Sequence, residues 1–322
     1  MRARRLLPAL IAVAALGAAC GAGPGSARGA AAPAASPALS IWSRGAWRAW
    51  WRAAAAPTRW TAADTTVAAA LAWRRVADGV ELSSARLSGS WPAWRTRLIV
   101  ARLDPRRLSF SLVMSLSGHE DRPAWTIDDA PPEALLAVNA GQFLRTMPWG
   151  WLVMEGHERL RPGTGPLAGA LAFDAAGGVR WIAGDSLARG APATAPGIET
   201  AFQSYPTLLA DDGVVPEPLR AAGRGVDLEH RDARLAIGET RDGRLVLALT
   251  RFDALGETAG GTPIGLTTPE MAAVMGALGC RDAMMLDGGI SAQLTLRDPA
   301  RGRRWRWPGW RKVPLAMIVR SR

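Results

Sequence analysis

The chain is 322 residues long, 48% hydrophobic and 21% charged, with a formal charge of +11. That composition excludes a wholly disordered chain and allows one large or two small folded domains. No Walker A loop, zinc-ligand Cys/His spacing or nucleic-acid motif is present, so no metal site, no cofactor and no nucleic-acid partner is expected. Lys312 is the only lysine. The positive charge is therefore arginine in an alanine-rich chain, a compositional bias that favours anionic partners without choosing among them.

Residues 1–20 read as an export signal. Arg2, Arg4 and Arg5 form the positive end, and Leu6 to Leu16 an apolar core, shorter than the roughly 20 residues that span a bilayer. Gly17-Ala18-Ala19-Cys20 resembles a lipobox, with Gly17 where leucine is preferred. Lipidation at Cys20 and cleavage at a small-residue site are the alternatives, and both place the chain outside the cytoplasm. Residues 21–40 are Ala, Gly, Pro and Ser with almost no apolar bulk, the composition of a disordered tether.

Residues 41–70 are expected to be largely helical. Arg44, Arg48 and Arg52 repeat at i, i+4, i+8, with Trp47, Trp50 and Trp51 on the neighbouring arc. Such a helix either rests on anionic lipid or packs its tryptophans on the main domain.

From Leu71 to the C-terminus a single β-rich domain is expected. Strands are predicted around Val80–Leu82, Arg97–Leu103 and Leu108–Leu116. Leu135 to Val138 is an apolar strand ending at Asn139-Ala140-Gly141-Gln142-Phe143. Gln203-Ser204-Tyr205-Pro206 precedes another apolar pair, and Arg234 opens a strand pair turned at Arg241–Arg244.

Thr267 to Leu296 carries the most information. Thr268 is expected as N-cap with Pro269 at the first helical position, and Thr267 and Glu270 have capping-box spacing. Met271, Val274, Met275 and Leu278 mark an apolar face, and Gly279 the C-terminal stop. Ala283 to Leu286 is a buried strand that delivers Asp287 to Gly288 and Gly289. Ile290, Ala292, Leu294 and Leu296 alternate with polar residues as a return strand would. Asp287 is open to two compatible readings, a hairpin turn residue and an active-site carboxylate.

Four segments, AVNAGQF, TAFQSYPTLL, RDARLAIGETRDGRLVLALT and GLTTPEMAAVMGALGCRDAMMLDGGISAQL, resemble in that order the phosphodiester glycosidase family. The resemblance implies an α+β fold, a single mixed β-rich core domain flanked by helices. It implies hydrolysis of a sugar–phosphodiester, releasing sugar and a phosphate monoester. Matched motif by motif, it makes Asp287, Arg234 and Asn139 the catalytic candidates. Gly141, Gln203, Ser204, Gly288, Gly289 and Ser291 become the substrate-binding candidates. Asp287 would serve as nucleophile or as base for water, and Arg234 would hold the phosphate. Asn139 would hold a sugar hydroxyl or a phosphate oxygen.

The sequence departs from the family at three places. Ile290 stands where a third glycine is commoner, Thr250-Arg251-Phe252 replaces an Asp-Gly, and Gln142 stands where Phe or Met is usual. Two functions remain: an envelope hydrolase acting on a sugar-phosphodiester or envelope glycan, and a non-catalytic glycan- or anion-binding lipoprotein on the same fold. Cys280 is expected in the core, and His230, Glu239 and Glu270 as loop, strand-edge and cap residues.

Overall fold

The computed structural model describes residues 37–89, 95–118, 121–165, 167–189, 197–253 and 264–322. The export signal, Cys20, most of the proposed tether and His119 lie outside the described residues. Among those residues no helix is long and apolar enough to cross a membrane.

The α+β expectation holds: strands dominate and three sheets carry the core. The largest has nine strands. From one edge they run Thr207–Leu209, Cys280–Met285, Leu235–Thr240, Leu245–Phe252, Thr96–Leu103, Val80–Gly89, Ala38–Ser43 and Ala46–Arg52. Arg74–Ala77 pairs beside Val80–Gly89. A five-stranded sheet runs Arg303–Trp307, Leu294–Asp298, Leu136–Asn139, Leu315–Ser321 and Leu108–Met114. A second five-stranded sheet is centred on Ile198–Ser204.

The large sheet is buried on both faces, and its central strands show why. In Leu245–Phe252, Leu245, Leu247 and Leu249 enter one core while Val246 and Ala248 enter the other. Strand geometry sends alternate side chains to opposite faces, so a continuous apolar run is required. The first core joins the three sheets through residues such as Ile99, Val138 and Phe202. The second lies under the helix Thr268–Ala277, which contributes Met271, Val274 and Met275.

That helix starts one residue earlier than expected. Thr267, not Thr268, is the N-cap; its hydroxyl accepts from the Glu270 amide, and the Glu270 carboxylate accepts from the Thr267 amide. The helix is buried almost all round rather than on one face. Gly279 follows with φ +87.

The helical reading of residues 41–70 fails over its first part. Ala38–Ser43 and Ala46–Arg52 form an antiparallel hairpin turned at Arg44-Gly45, both with positive φ. Spacing of i, i+4 is shared by a helical stripe and by one side of a strand, so the arginine pattern does not separate the two. The register decides it: Trp42 sits opposite Trp47, edge to face at 5.5 Å. Leu39 and Ile41 are buried in the core, Trp51 is buried, and Trp47 is exposed. Leu39 to Ile41 pairs with Leu87 to Gly89, so this hairpin extends the large sheet and the folded part begins well before Leu71. Residues 38–40, assigned to the tether from composition, are likewise strand.

Candidate active site

The segment after Cys280–Met285 leaves one sheet and enters another. Cys280–Met285 belongs to the nine-stranded sheet and Leu294–Asp298 to the first five-stranded sheet. The hairpin reading of Asp287-Gly288 is therefore wrong; the turn is a crossing between layers. The return strand is also shorter than predicted. Gly289–Ser291 is a 3-10 turn, Ile290 is exposed, and Ser291 and Gln293 are buried.

Three partners strap the crossing down. The Leu286 amide donates to the Leu235 carbonyl at 2.8 Å and the Gly289 amide to the Ala233 carbonyl at 2.7 Å. The Asp287 amide donates to the Gly141 carbonyl at 3.1 Å. The two glycines are required by this closeness. A Cβ on Gly288 would stand 2.7 Å from the Ala233 carbonyl oxygen. A Cβ on Gly289, whose φ is +58, would stand 2.5 Å from a carboxylate oxygen of Asp232.

The matched motif residues do come together here, but they divide by role. Asn139, at the end of Leu136–Asn139, is fully buried. Its Nδ2 donates to the Asp287 carbonyl at 2.8 Å and its Oδ1 accepts the Gln293 amide at 2.9 Å. The amide that was expected to hold a ligand is spent on shaping the turn. Ser204 is buried and donates to the Met285 carbonyl at 2.6 Å. Gln203 is buried too. Its Oε1 accepts from Trp151 and Gly163, and its Nε2 donates to the Gly163 carbonyl, each at 2.8 Å. Neither Gln203 nor Ser204 offers a free polar group to substrate.

Arg234 is half-buried at the mouth of Leu235–Thr240. Its Nε donates to the Leu266 carbonyl at 2.8 Å and its Nη2 to the His230 carbonyl at 2.5 Å. Burial pulls its ionisation down, with Asp232, Asp227 and Glu270 opposing. The side chain thus braces two loops. Next to it Arg231 makes a two-pronged pair with buried Glu270, at 2.6 and 2.8 Å, tying the same loop to the helix N-terminus.

Asp287 is the exception to this saturation. Its Oδ2 is buried with no hydrogen-bond partner among the described residues. Burial pushes its carboxyl up to about 6, and nearby Asp232 pushes the same way. A hydrogen bond from Ser291 and the charge of Arg311 oppose the rise. The desolvated carboxyl therefore exchanges its proton close to neutrality.

Two residues that sequence reading missed complete the cluster. Asp232 receives the Ala233 amide at 2.8 Å on one oxygen and faces His230 Nε2 at 3.6 Å with the other. Arg311 lies over the Phe143 ring at 4.5 Å, and its amide donates to the Ile290 carbonyl at 3.1 Å. The guanidinium that acts on Asp287 is Arg311, not Arg234. Asp232 stands two residues before Arg234 in RDAR, and Arg311 follows a tryptophan-rich strand. Neither position carries a spacing signal.

The family departures have local explanations. Thr250 Oγ1 accepts the Arg234 amide at 2.7 Å. Arg251 is buried and donates through Nη2 to the carbonyls of Ala292, Trp307 and Pro308 at 2.7–2.9 Å. Burial pulls its guanidinium down to about 10. Gln142 donates to the Tyr205 carbonyl at 3.2 Å, beside the Trp149–Tyr205 edge-to-face pair.

The family model described as phosphodiester glycosidase matches residues 132–320, more than half of the chain and every segment just described. The chain belongs to the phosphodiester glycosidase family. Two solved structures resemble it in fold. One is a hypothetical protein from Synechocystis, with TM-score 0.53 and 16% identity over 89% of this chain and 68% of that one. The other is the catalytic domain of zebrafish N-acetylglucosamine-1-phosphodiester alpha-N-acetylglucosaminidase, auto-inhibited by pro-peptide. Its TM-score is 0.50 and its identity 16%, over 81% of this chain and 87% of that one. At such identity they establish the shared fold and nothing finer. No curated protein sequence matches the chain. Within this phosphodiester glycosidase domain, the sheet-crossing turn at Asp287 is where the family's motif segments meet.

Proposed function

We propose that the chain is a hydrolase that cleaves the glycosidic bond between a sugar and phosphate, releasing the sugar and a phosphate monoester. The single observation that carries this reading is Asp287, a half-buried residue whose Oδ2 is fully buried and is the one carboxylate oxygen so placed without a hydrogen-bond partner among the described residues. Above its pKa of about 6 the carboxylate is mostly ionised and ready to accept a proton.

The reaction needs few parts. A water oxygen bonds to the anomeric carbon as the carbon–oxygen bond to phosphate breaks. The electron pair of that bond stays on the phosphate oxygen, and the proton of the water passes to Asp287. A phosphate monoester has a second pKa near 6, so its oxygen leaves without strong acid assistance. Arg311, held over Phe143, meets the departing charge with a planar guanidinium suited to paired phosphate oxygens. Asp232 supplies a second negative charge beside the developing oxocarbenium ion. Asn139, Gly141, Gly288 and Gly289 hold the turn, and Ser291 steadies the carboxylate.

The reading extends to location. The basic start, the apolar run Leu6 to Leu16 and Cys20 support export and a lipid anchor at Cys20, and with them a substrate among envelope glycans or lipid-linked sugars. Replacement of Cys20 by alanine then moves the protein from the membrane to the soluble fraction.

A UDP-linked or chromogenic sugar phosphodiester, offered to the wild type and to Asp287→Asn, tests the chemistry. Release by the wild type and at least about a 10³-fold loss in the variant are expected. Equal release by both removes Asp287 from the mechanism. Binding without release by either protein favours the non-catalytic, glycan-binding alternative.

A further inference from the structure

The strand Arg303–Trp307 borders a cleft that the proposed site does not use. The cleft closes against Arg74–Ala77 and Val80–Gly89 and has a volume of about 530 Å³. Arg74, Arg97, Arg303, Trp305, Arg306 and Trp307 line it, and among the described residues no Asp or Glu does. Two of these guanidiniums have carboxylate partners outside the lining, and the others leave a concave wall of one sign that favours an anionic ligand.

The arginines are not equivalent. Arg97 pairs with Asp253 at 3.0 Å, and Arg306 pairs with Asp128. Arg304 is turned toward Thr295 and the Ile127 carbonyl. Arg74 and Arg303 differ from these. Each lies over the Trp305 ring, at 4.4 and 4.6 Å, and neither has a carboxylate partner among the described residues. Stacking fixes a guanidinium plane while leaving its edge N–H donors free, the geometry that receives planar or tetrahedral oxyanions. Two such groups share one indole, so two guanidiniums without carboxylate partners among the described residues meet at a single side chain of the cleft.

The far end of the cleft leads toward the catalytic turn. Arg251 draws the carbonyls of Trp307, Pro308 and Ala292 together, and Arg311 lies four residues beyond Trp307. The Trp307 end of the strand is thereby tied to Ala292, in the segment that follows Asp287.

We propose that this cleft is a binding site for a polyanionic chain, a polymer bearing repeated phosphate or carboxylate groups, with Arg74 and Arg303 as its principal contacts. A chain is favoured over a bilayer surface because the unpaired guanidiniums line a concave cleft, which a flexible strand enters and a lipid headgroup plane does not. The binding claim stands whether or not Asp287 turns over a substrate.

The test uses the whole chain and a short inorganic polyphosphate as probe, with binding followed by tryptophan fluorescence across a salt series. The wild type is compared with Arg74→Gln/Arg303→Gln and with Arg44→Gln/Arg48→Gln, which removes the same charge from the exposed hairpin. Thermal unfolding of all three shows that each is folded. The cleft pair is expected to bind at least about 10-fold more weakly and to lower the log–log salt slope by about two, since each phosphate contact releases its counterion. The hairpin pair is expected to change affinity less than about 2-fold. Equal loss in both double variants would show a general charge effect and overturn the site. Orthophosphate competing as well as the chain overturns the polymer claim. Phosphatidylglycerol vesicles that bind the wild type and release the cleft variant do the same in favour of a membrane surface.

Discussion

The two sides of the Asp287 turn are built on opposite rules. On the side facing Leu136–Asn139 the buried motif side chains are answered: Asn139 closes the Asp287 carbonyl and the Gln293 amide, and Ser204 closes the Met285 carbonyl. On the other side the carboxylate keeps an oxygen with no partner, with Asp232 and Arg311 as charged neighbours. The first side is what a protein does with buried polar groups when stability is all that matters. The second is what it tolerates where chemistry is done. A motif match cannot tell these sides apart, because both are made of the same polar residues.

The largest effects on stability are expected at Asn139 and Gln203. Asn139→Ala leaves a buried amide and a buried carbonyl unanswered, and Gln203→Ala leaves two amides and a carbonyl. Each is expected to lower unfolding free energy by about 3 kcal/mol, read by denaturant titration. Either variant proving as stable as the wild type yet unable to bind substrate would move that residue to the open side.

The two arginines sharpen the division next. Arg311→Gln is expected to reduce kcat/KM about 10²-fold through loss of charge on the departing phosphate. Arg234→Gln is expected to act mainly on stability, because its donors serve the carbonyls of Leu266 and His230. Steady-state kinetics beside thermal melts separates them, and a reversed pattern would restore Arg234 as the phosphate ligand.

The smallest effect is in pH-dependent stability. The folded carboxyl of Asp287 titrates near 6, above its ordinary value of 3.8. Between those values the folded protein retains a proton that the unfolded chain has released, so the wild type loses stability as pH rises through that window. Asparagine does not titrate. Asp287→Asn should therefore gain on the wild type by about 2 kcal/mol between pH 4 and pH 7 and hold that lead above it. Parallel melting curves across the range would mean that the carboxylate is solvated.

Much of the frame was readable from the residues. The apolar runs at Leu136, Leu235 and Leu245, the turn at Arg241–Arg244 and the capping box of Thr267 and Glu270 all rest on local rules that tertiary structure leaves intact. The Arg44 to Arg52 stripe misled because its spacing suits a helix and a strand equally. Asp287-Gly288 looked like a hairpin turn because its neighbours in space come from strands more than 30 residues away in sequence. Asp232 and Arg311 were invisible for the same reason, since nothing in RDAR or GWRK says what stands opposite once three sheets meet. Asn139, Gln203 and Ser204 are legible as motif residues, but the backbone groups they hydrogen-bond are not. Type and position are written in the sequence; what a buried amide hydrogen-bonds to is not.

The most direct test of the central claim is the pH dependence of sugar release from a sugar phosphodiester by the wild type and by Asp287→Asn. Activity that falls away below about pH 6 in the wild type, with no such limb in the residual activity of the variant, is the predicted result. A variant that keeps both the rate and the limb would contradict it, and would place the proton-accepting group somewhere other than the turn between the sheets.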